Sequence, residues 1–429
     1  MGRFLCTLMC FMSGSAAAAS WMAPVTLSTP GQGTDVPQVA VASSSGEATA
    51  VWSIFDAVNA IWTVQASTKS GGVWQDVPDT IVSNGGVATR VCADPQNNVT
   101  AVSGGKWTSY AAAKLNGGTW AITGTFVENY LSPQISVAAG STGEVIFVAR
   151  TPPSDANPGI FSEISSSPGG SWTRAVGATA FASYEYNAPQ AAIDASGNAT
   201  AVWGVMYSGR WCIWFAEKAS SSSTWSLGTS LSDEPYPLPP TNSTNPRMVL
   251  DSNGVPIVVW QAFDGTNTII QSSTKTEGHW QNSPDNVTTT GCAQAPQVAI
   301  DGDGNATAVW QIADEDHWSV QSAVKPFGSS WGEATTLSAT GSSFAPQVVV
   351  DPSGNATAVW ANTDGESYTI QASTRRGGSW QETPDTLSST DVMASSPQIG
   401  IDSSGNVTIV WWATDGTQSF IQACSNAVP

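Results

Sequence analysis

The chain has 429 residues and a formal charge of −19, with 14 Lys plus Arg against 33 Asp plus Glu; 11% of it is charged and 41% hydrophobic. That balance excludes a disordered polyelectrolyte, and it excludes nucleic acid and anionic membrane surfaces as partners, which require basic patches. With 2 histidines, there is little room for histidine-based metal or acid–base chemistry.

The first element is an address. Met1-Gly2-Arg3 is a short positive start, Phe4 to Met12 is apolar, and Ala17 and Ala19 satisfy the small-x-small rule for a signal peptidase. The expectation is a leader over residues 1–19, cleaved before Ser20. The mature chain is then secreted, periplasmic or on the cell surface. No other stretch is long and apolar enough to cross a membrane as a helix. Cys6 and Cys10 leave with the leader. The remaining Cys92, Cys212, Cys292 and Cys424 share no repeat position, so the spacing predicts buried thiols rather than a disulfide framework or metal site, with one unassigned bridge left open.

From Ser20 onward the chain is one internal repeat, the feature to seek first. The phrase beginning at Pro346 reads PQVVVDPSGNATAVWANTDGESYTIQASTRRGGSWQETPDTLS, and near copies begin at Pro37, Pro296 and Pro397. Worn copies begin near Thr89, Pro133, Pro189 and Pro246. The Trp of "AVW" recurs at Trp52, Trp203, Trp260, Trp310, Trp360 and Trp411, with Ser103 and Ala149 in the same slot of two worn copies. The Trp of "GGSW" recurs at Trp21, Trp74, Trp120, Trp172, Trp225, Trp280, Trp331 and Trp380. Both markers count eight units.

Each unit reads as four short strands: an apolar run, a turn, an alternating "ATAVW" strand, an acidic hairpin, a second alternating strand and a Pro-containing edge strand. No segment has a sustained helical period. The expected fold is all-β: a single eight-bladed β-propeller over residues 20–429 with four-stranded blades. The last unit stops at Cys424 without its fourth strand, and the mature start, Ser20-Trp21-Met22-Ala23-Pro24-Val25-Thr26-Leu27-Ser28, supplies that strand. The N-terminal strand is therefore expected to close the ring.

Repeated residues are first suspects for packing. Both Trp slots are expected between blades. The Gln of "PQ" (Gln38, Gln134, Gln190, Gln297, Gln347, Gln398) and of "IQ" (Gln65, Gln271, Gln321, Gln371, Gln422) is expected to hydrogen-bond from blade to blade. The Asp-x-Ser-Gly-Asn phrase is a turn. Its variant Asp301, Asp303, Asn305 also offers oxygens at alternate positions for calcium, but it lacks the distal bidentate Glu of such loops. No cofactor is otherwise implied.

The functional candidates lie off the repeat. Hairpin acids (Asp56, Asp155, Asp264, Asp314, Glu315, Asp316, Asp364, Glu366, Asp415) would form one acidic rim, and aromatics follow them at Trp62, Trp107, Trp211, Trp318 and Tyr368. A ring face against C–H groups, with acids on hydroxyls, is how a protein holds sugars. Arg90 and Arg247 replace the "PQ" Gln in units two and five near the channel mouth, with Arg210 on the same face. Together they could hold a carboxylate.

The runs Val298-Ala299-Ile300-Asp301-Gly302-Asp303-Gly304-Asn305 and Val348-Val349-Val350-Asp351-Pro352-Ser353-Gly354-Asn355 resemble the core of NHL-type and related bacterial propeller repeats. The resemblance implies a scaffold that mostly binds and occasionally catalyses, although the period and the count differ from the usual NHL pattern. The expected function is a secreted, monomeric, non-enzymatic module for a glycan or an extracellular protein. One alternative is a sialidase-like hydrolase using Tyr184 and Glu185, but such enzymes have six units and an Asp-box that this chain lacks. Another is a purely structural surface protein.

Overall fold

A computed structural model describes residues 20–29, 31, 33–83, 86, 88–104, 108–126, 135–150, 159–175, 186–207, 209–232, 242–314 and 316–427. Among them there is no α-helix; regular structure is β-strand, paired antiparallel except at one point. Among the described residues no helix is long and apolar enough to cross a membrane.

Three-strand antiparallel ladders form within residues 38–70, 88–114, 135–165, 186–218, 242–276, 292–325, 342–376 and 393–427. We number them one to eight in chain order. A single parallel pair, Thr268 with Cys292, joins ladders five and six into one continuous sheet. The first strand of each ladder lies beside the first strand of the next, and that of ladder eight lies beside that of ladder one. The ladders therefore follow one another around a closed ring.

The ring closes through the chain start. Ser20–Trp21 and Val25–Thr26 pair antiparallel with Ser419–Ala427. Leu27 N–H adds a bond to Ile421 O at 2.8 Å, and Ser28 Oγ accepts the Ile421 N–H at 2.9 Å.

The core sits between successive ladders. The second-strand tryptophans Trp52, Trp203, Trp260, Trp310, Trp360 and Trp411 are each 0% exposed. Trp260 packs on Val202 and Ile213 of the ladder before it, Trp310 on Val259 and Ile270, and Trp360 on Val309 and Val320. Trp52 closes the series against Val410, Ile421 and Ala423 of ladder eight. Where the slot lacks Trp, Phe147 on the same strand fills the gap with Phe161 and Val102.

The outer tryptophans do a different job. Most are half-buried, and the indole N–H groups of several reach the preceding ladder: Trp331 to Ser272 Oγ at 2.7 Å, Trp172 to Thr123 Oγ1 at 3.1 Å and Trp21 to Asp385 Oδ2 at 3.1 Å.

The outer strand is not the continuous one expected from sequence. It breaks into pairs such as Val73–Trp74 with Asp79–Ser83, and Ser379–Trp380 with Asp385–Thr386. Pro78 and Pro384 cannot donate to a ladder. The Gln after each Trp fills the gap: Gln75, Gln281 and Gln381 accept the N–H groups of Thr68, Thr274 and Thr374 at 3.1, 2.7 and 3.1 Å.

Candidate functional site

Consecutive strands run antiparallel, so connections alternate between the ring's two ends. The Asp-x-Ser-Gly-Asn turns and the Gly-Gly turns share one end. The acidic hairpins and the crossings into the next ladder share the other, which carries the candidate rim.

The turn end is tightly built. In six ladders the turn Asp (Asp94, Asp194, Asp251, Asp301, Asp351, Asp402) accepts the N–H groups two and four residues on through Oδ1. For Asp301 these come from Asp303 and Asn305 at 3.0 and 2.8 Å, while Oδ2 accepts the Asn305 amide at 2.8 Å. Asn305 Oδ1 in turn accepts the Phe327 N–H at 2.9 Å. The Asp301 and Asn305 oxygens, offered by the sequence together with Asp303 as calcium ligands, accept these N–H donors and brace the turn.

The rim acids are built by similar local geometry. Asp314 Oδ1 accepts the N–H groups of Asp316 and His317 at 3.2 and 2.8 Å, and Asp56 Oδ1 those of Val58 and Asn59 at 2.9 and 3.2 Å. Hydrogen bonds from the loops hold Asp56, Asp264, Asp314, Asp364 and Asp415 below the usual carboxylate range, so all five are ionised at physiological pH.

The aromatics stand beside these acids. Phe55, 39% exposed, and Trp62 face each other across one hairpin with ring centroids 5.0 Å apart. Trp318 lies 6.4 Å from Phe344, which belongs to the first strand of the next ladder. Tyr368 is 37% exposed at the start of its strand. The Trp211 and Trp318 N–H groups donate to Asn242 Oδ1 and Ser342 Oγ at 3.1 and 3.3 Å, which ties both strand starts to the next ladder.

The arginines separate. Arg90 and Arg247 occupy one register slot, opposite Val102 and Val259, where other ladders place Gln38 opposite Val51 and Gln398 opposite Val410. In Asn242–Leu250 this slot is midway along the strand, deeper than the channel mouth expected from sequence. Arg210 pairs with Tyr207 at the tip of a hairpin, two strands outward, which is about 10 Å from the channel strands. It belongs to the rim. Trp107, Gln134, Asp155, Tyr184, Glu185 and Glu315 lie outside the described residues.

The slot residues have a shared duty that differs from the expected blade-to-blade bonding. Gln38, Gln190 and Gln398 donate Nε2 to the carbonyl of their own preceding proline at 2.9 Å, and Arg90 and Arg247 donate Nη1 to Thr89 O and Pro246 O at 2.9 Å. The first strand has no partner on its inner edge, so these side chains cap carbonyls that the channel leaves open. The "IQ" glutamines also bond within their ladder: Trp260, Trp360 and Trp411 donate to Gln271, Gln371 and Gln422 at 3.3, 3.2 and 3.1 Å.

One repeated slot escaped the sequence reading. Four residues after the "IQ" position stand Lys69, Lys114, Lys218, Lys275, Lys325 and Arg375. Several brace the preceding ladder: Lys275 meets Glu217 at 2.6 Å, Lys325 meets Asp285 at 3.2 Å, and Lys69 meets Ser425 Oγ at 2.8 Å. The signal was present in "AST" followed by Lys or Arg. Beside this slot, ladders five and six leave a cleft of about 640 Å³ lined by Lys275, Lys325, Asp285 and the exposed Phe327.

Cys92, Cys212, Cys292 and Cys424 are free thiols. Burial pushes the Cys92 and Cys424 thiols up to about 12, so neither is a thiolate nucleophile at neutral pH.

No family model matches the chain, and no curated protein matches it. Among solved structures it is similar to the Dos1 propeller, at 10% identity and a TM-score of 0.56, with 95% of each chain covered. It is also similar to a PL25 ulvan lyase (10% identity, TM-score 0.53, 76% of this chain and 89% of that one) and to the polysaccharide lyase Uly1 (9%, 0.53, 82% and 92%). The fold is a β-propeller.

Proposed function

We propose that the protein is a secreted, monomeric, eight-bladed β-propeller of four-stranded blades that binds a glycan, without catalysis, on the face carrying the acidic hairpins. Residues 1–19 are its export leader. The observation that carries this reading is the pairing of part-exposed rings with ionised carboxylates at that face: Phe55 and Trp62 beside Asp56, and Trp318 and Phe344 beside the hairpin of Asp314. A ring offers its face to sugar C–H groups while an adjacent carboxylate accepts from hydroxyls. Because the hairpin N–H groups already fix the Asp oxygens, the acids are presented without further ordering cost on binding.

Two of the similar structures are polysaccharide lyases. The fold thus serves carbohydrate in other proteins, and here it supports the ligand class rather than a reaction. Probing a broad glycan array with the purified protein tests the reading. Binding to a defined set of glycans is the expected result. Silence across the array would overturn it and favour a protein ligand.

A further inference from the structure

The channel slot holds a charge that the repeat does not require. Glutamine caps the open carbonyl in ladders one, four and eight, so a neutral amide suffices for that task. Ladders two and five place a guanidinium there instead. Arg247 spends one N–H on Pro246 O, and no carboxylate among the described residues pairs with it.

Arg90 stands in the same slot three ladders away. Burial and the charge of Arg90 together hold Arg247 down at about 10. Arg90 is itself lowered by burial and drawn back up by the charge of Asp35. Two cations that feel each other draw an anion toward them, and burial strengthens that pull. Planar guanidinium forks match the geometry of an oxyanion.

We propose that the central channel is an oxyanion site in which Arg247, with Arg90 in the same register slot three ladders round the ring, holds a carboxylate or a sulfate group. Asp35 offsets part of the charge of Arg90 and leaves Arg247 as the stronger anchor. The rim acids lie at the outer hairpins, strands away from the slot, and a Debye length of about 8 Å screens them from it at physiological salt. This site does not depend on glycan binding at the rim. If the rim ligand is a sugar acid or a sulfated sugar, the channel supplies its charge selectivity.

The test is thermal melting of the full mature chain in sodium sulfate or sodium glucuronate against sodium chloride of equal ionic strength. Arg247→Gln and Arg90→Gln are run in parallel, each restoring the residue that other ladders carry in that slot. The wild type should show a saturable rise in melting temperature with either anion, Arg247→Gln should lose it, and Arg90→Gln should weaken it. In chloride alone, Arg247→Gln should melt slightly higher than the wild type because the repulsion is gone. An equal rise in wild type and Arg247→Gln would mean a general salt effect and overturn the proposal, as would no rise in the wild type. A neutral glycan found on the array should bind Arg247→Gln normally, which separates failure of the channel site from failure of the rim.

Discussion

Trp225 donates its indole N–H to Ser162 Oγ at 2.8 Å, from the outer edge of ladder four to the third strand of ladder three. The Trp is 6% exposed and the Ser 0%, so the bond is sealed from water. Removing one partner strands the other. Trp225→Phe and Ser162→Ala should each cost on the order of 1–2 kcal/mol. A double-mutant cycle read by denaturant unfolding should return a coupling of roughly 1 kcal/mol. Full additivity would mean that the contact adds nothing to blade adhesion.

Closure of the ring makes a second prediction. Leu27 is 4% exposed and packs with Trp52, Val410 and Ile421, joining the first and last ladders. Leu27→Ala should destabilise by about 2–5 kcal/mol. Deleting residues 20–30 exposes the edge of Ser419–Ala427 and should lower the melting temperature further and promote association. A deletion that melts like the chain beginning at Ser20 would contradict closure.

At the turn end, Gly46 has φ +71° and a Cβ built there would stand 2.5 Å from Asp402 Oδ2 of ladder eight. Gly71 has φ +57° with nothing within 4 Å. Gly71→Ala should therefore cost only the conformational penalty, about 1 kcal/mol. Gly46→Ala adds a collision with a carboxylate fixed by its own turn, and it should cost more. Equal losses in calorimetry would show that the turns do not brace one another around the ring.

Asp415 offers a titration. The Thr417 hydroxyl, followed by the Gln418 and Thr417 N–H groups, lowers its carboxyl from 3.8 to about 2. A folded value below the unfolded one means that these bonds stabilise the hairpin fully above about pH 4 and are lost as the pH falls toward 2. Carboxyl carbon-13 shifts should give a midpoint near 2, moving toward 3.8 in Thr417→Ala. A midpoint unchanged by that substitution would assign the shift elsewhere.

Much of this was legible because the repeat writes the same physical problem several times. Six tryptophans ending the same "AVW"-type phrase announce a core position, and each is fully buried. The orphan phrase at Ser20–Ser28 and the missing strand after Cys424 pointed to each other, and they pair. What sequence did not disclose depends on which way a side chain turns at a given register. Gln38 folds back on Pro37 O instead of reaching the next ladder, because the inner edge leaves that carbonyl open. Gln75 accepts from Thr68 because Pro78 breaks the outer strand. Arg90, Arg247 and Arg210 looked like one cluster along the chain, yet two stand on channel strands and the third at a hairpin tip. The basic slot from Lys69 to Arg375 was as periodic as the tryptophans, but charges usually read as solvent-facing. Here several span the joint between ladders.

The most direct test of the account is the affinity of one array-selected neutral glycan for the wild type, Trp62→Ala and Trp318→Ala, measured by isothermal titration. The rings at both positions are partly exposed at the acidic-hairpin face. Each variant should keep its far-ultraviolet circular dichroism, and at least one should lose tenfold or more in affinity, about 1.4 kcal/mol. Two folded variants that bind the glycan as tightly as the wild type would contradict a sugar site on this face.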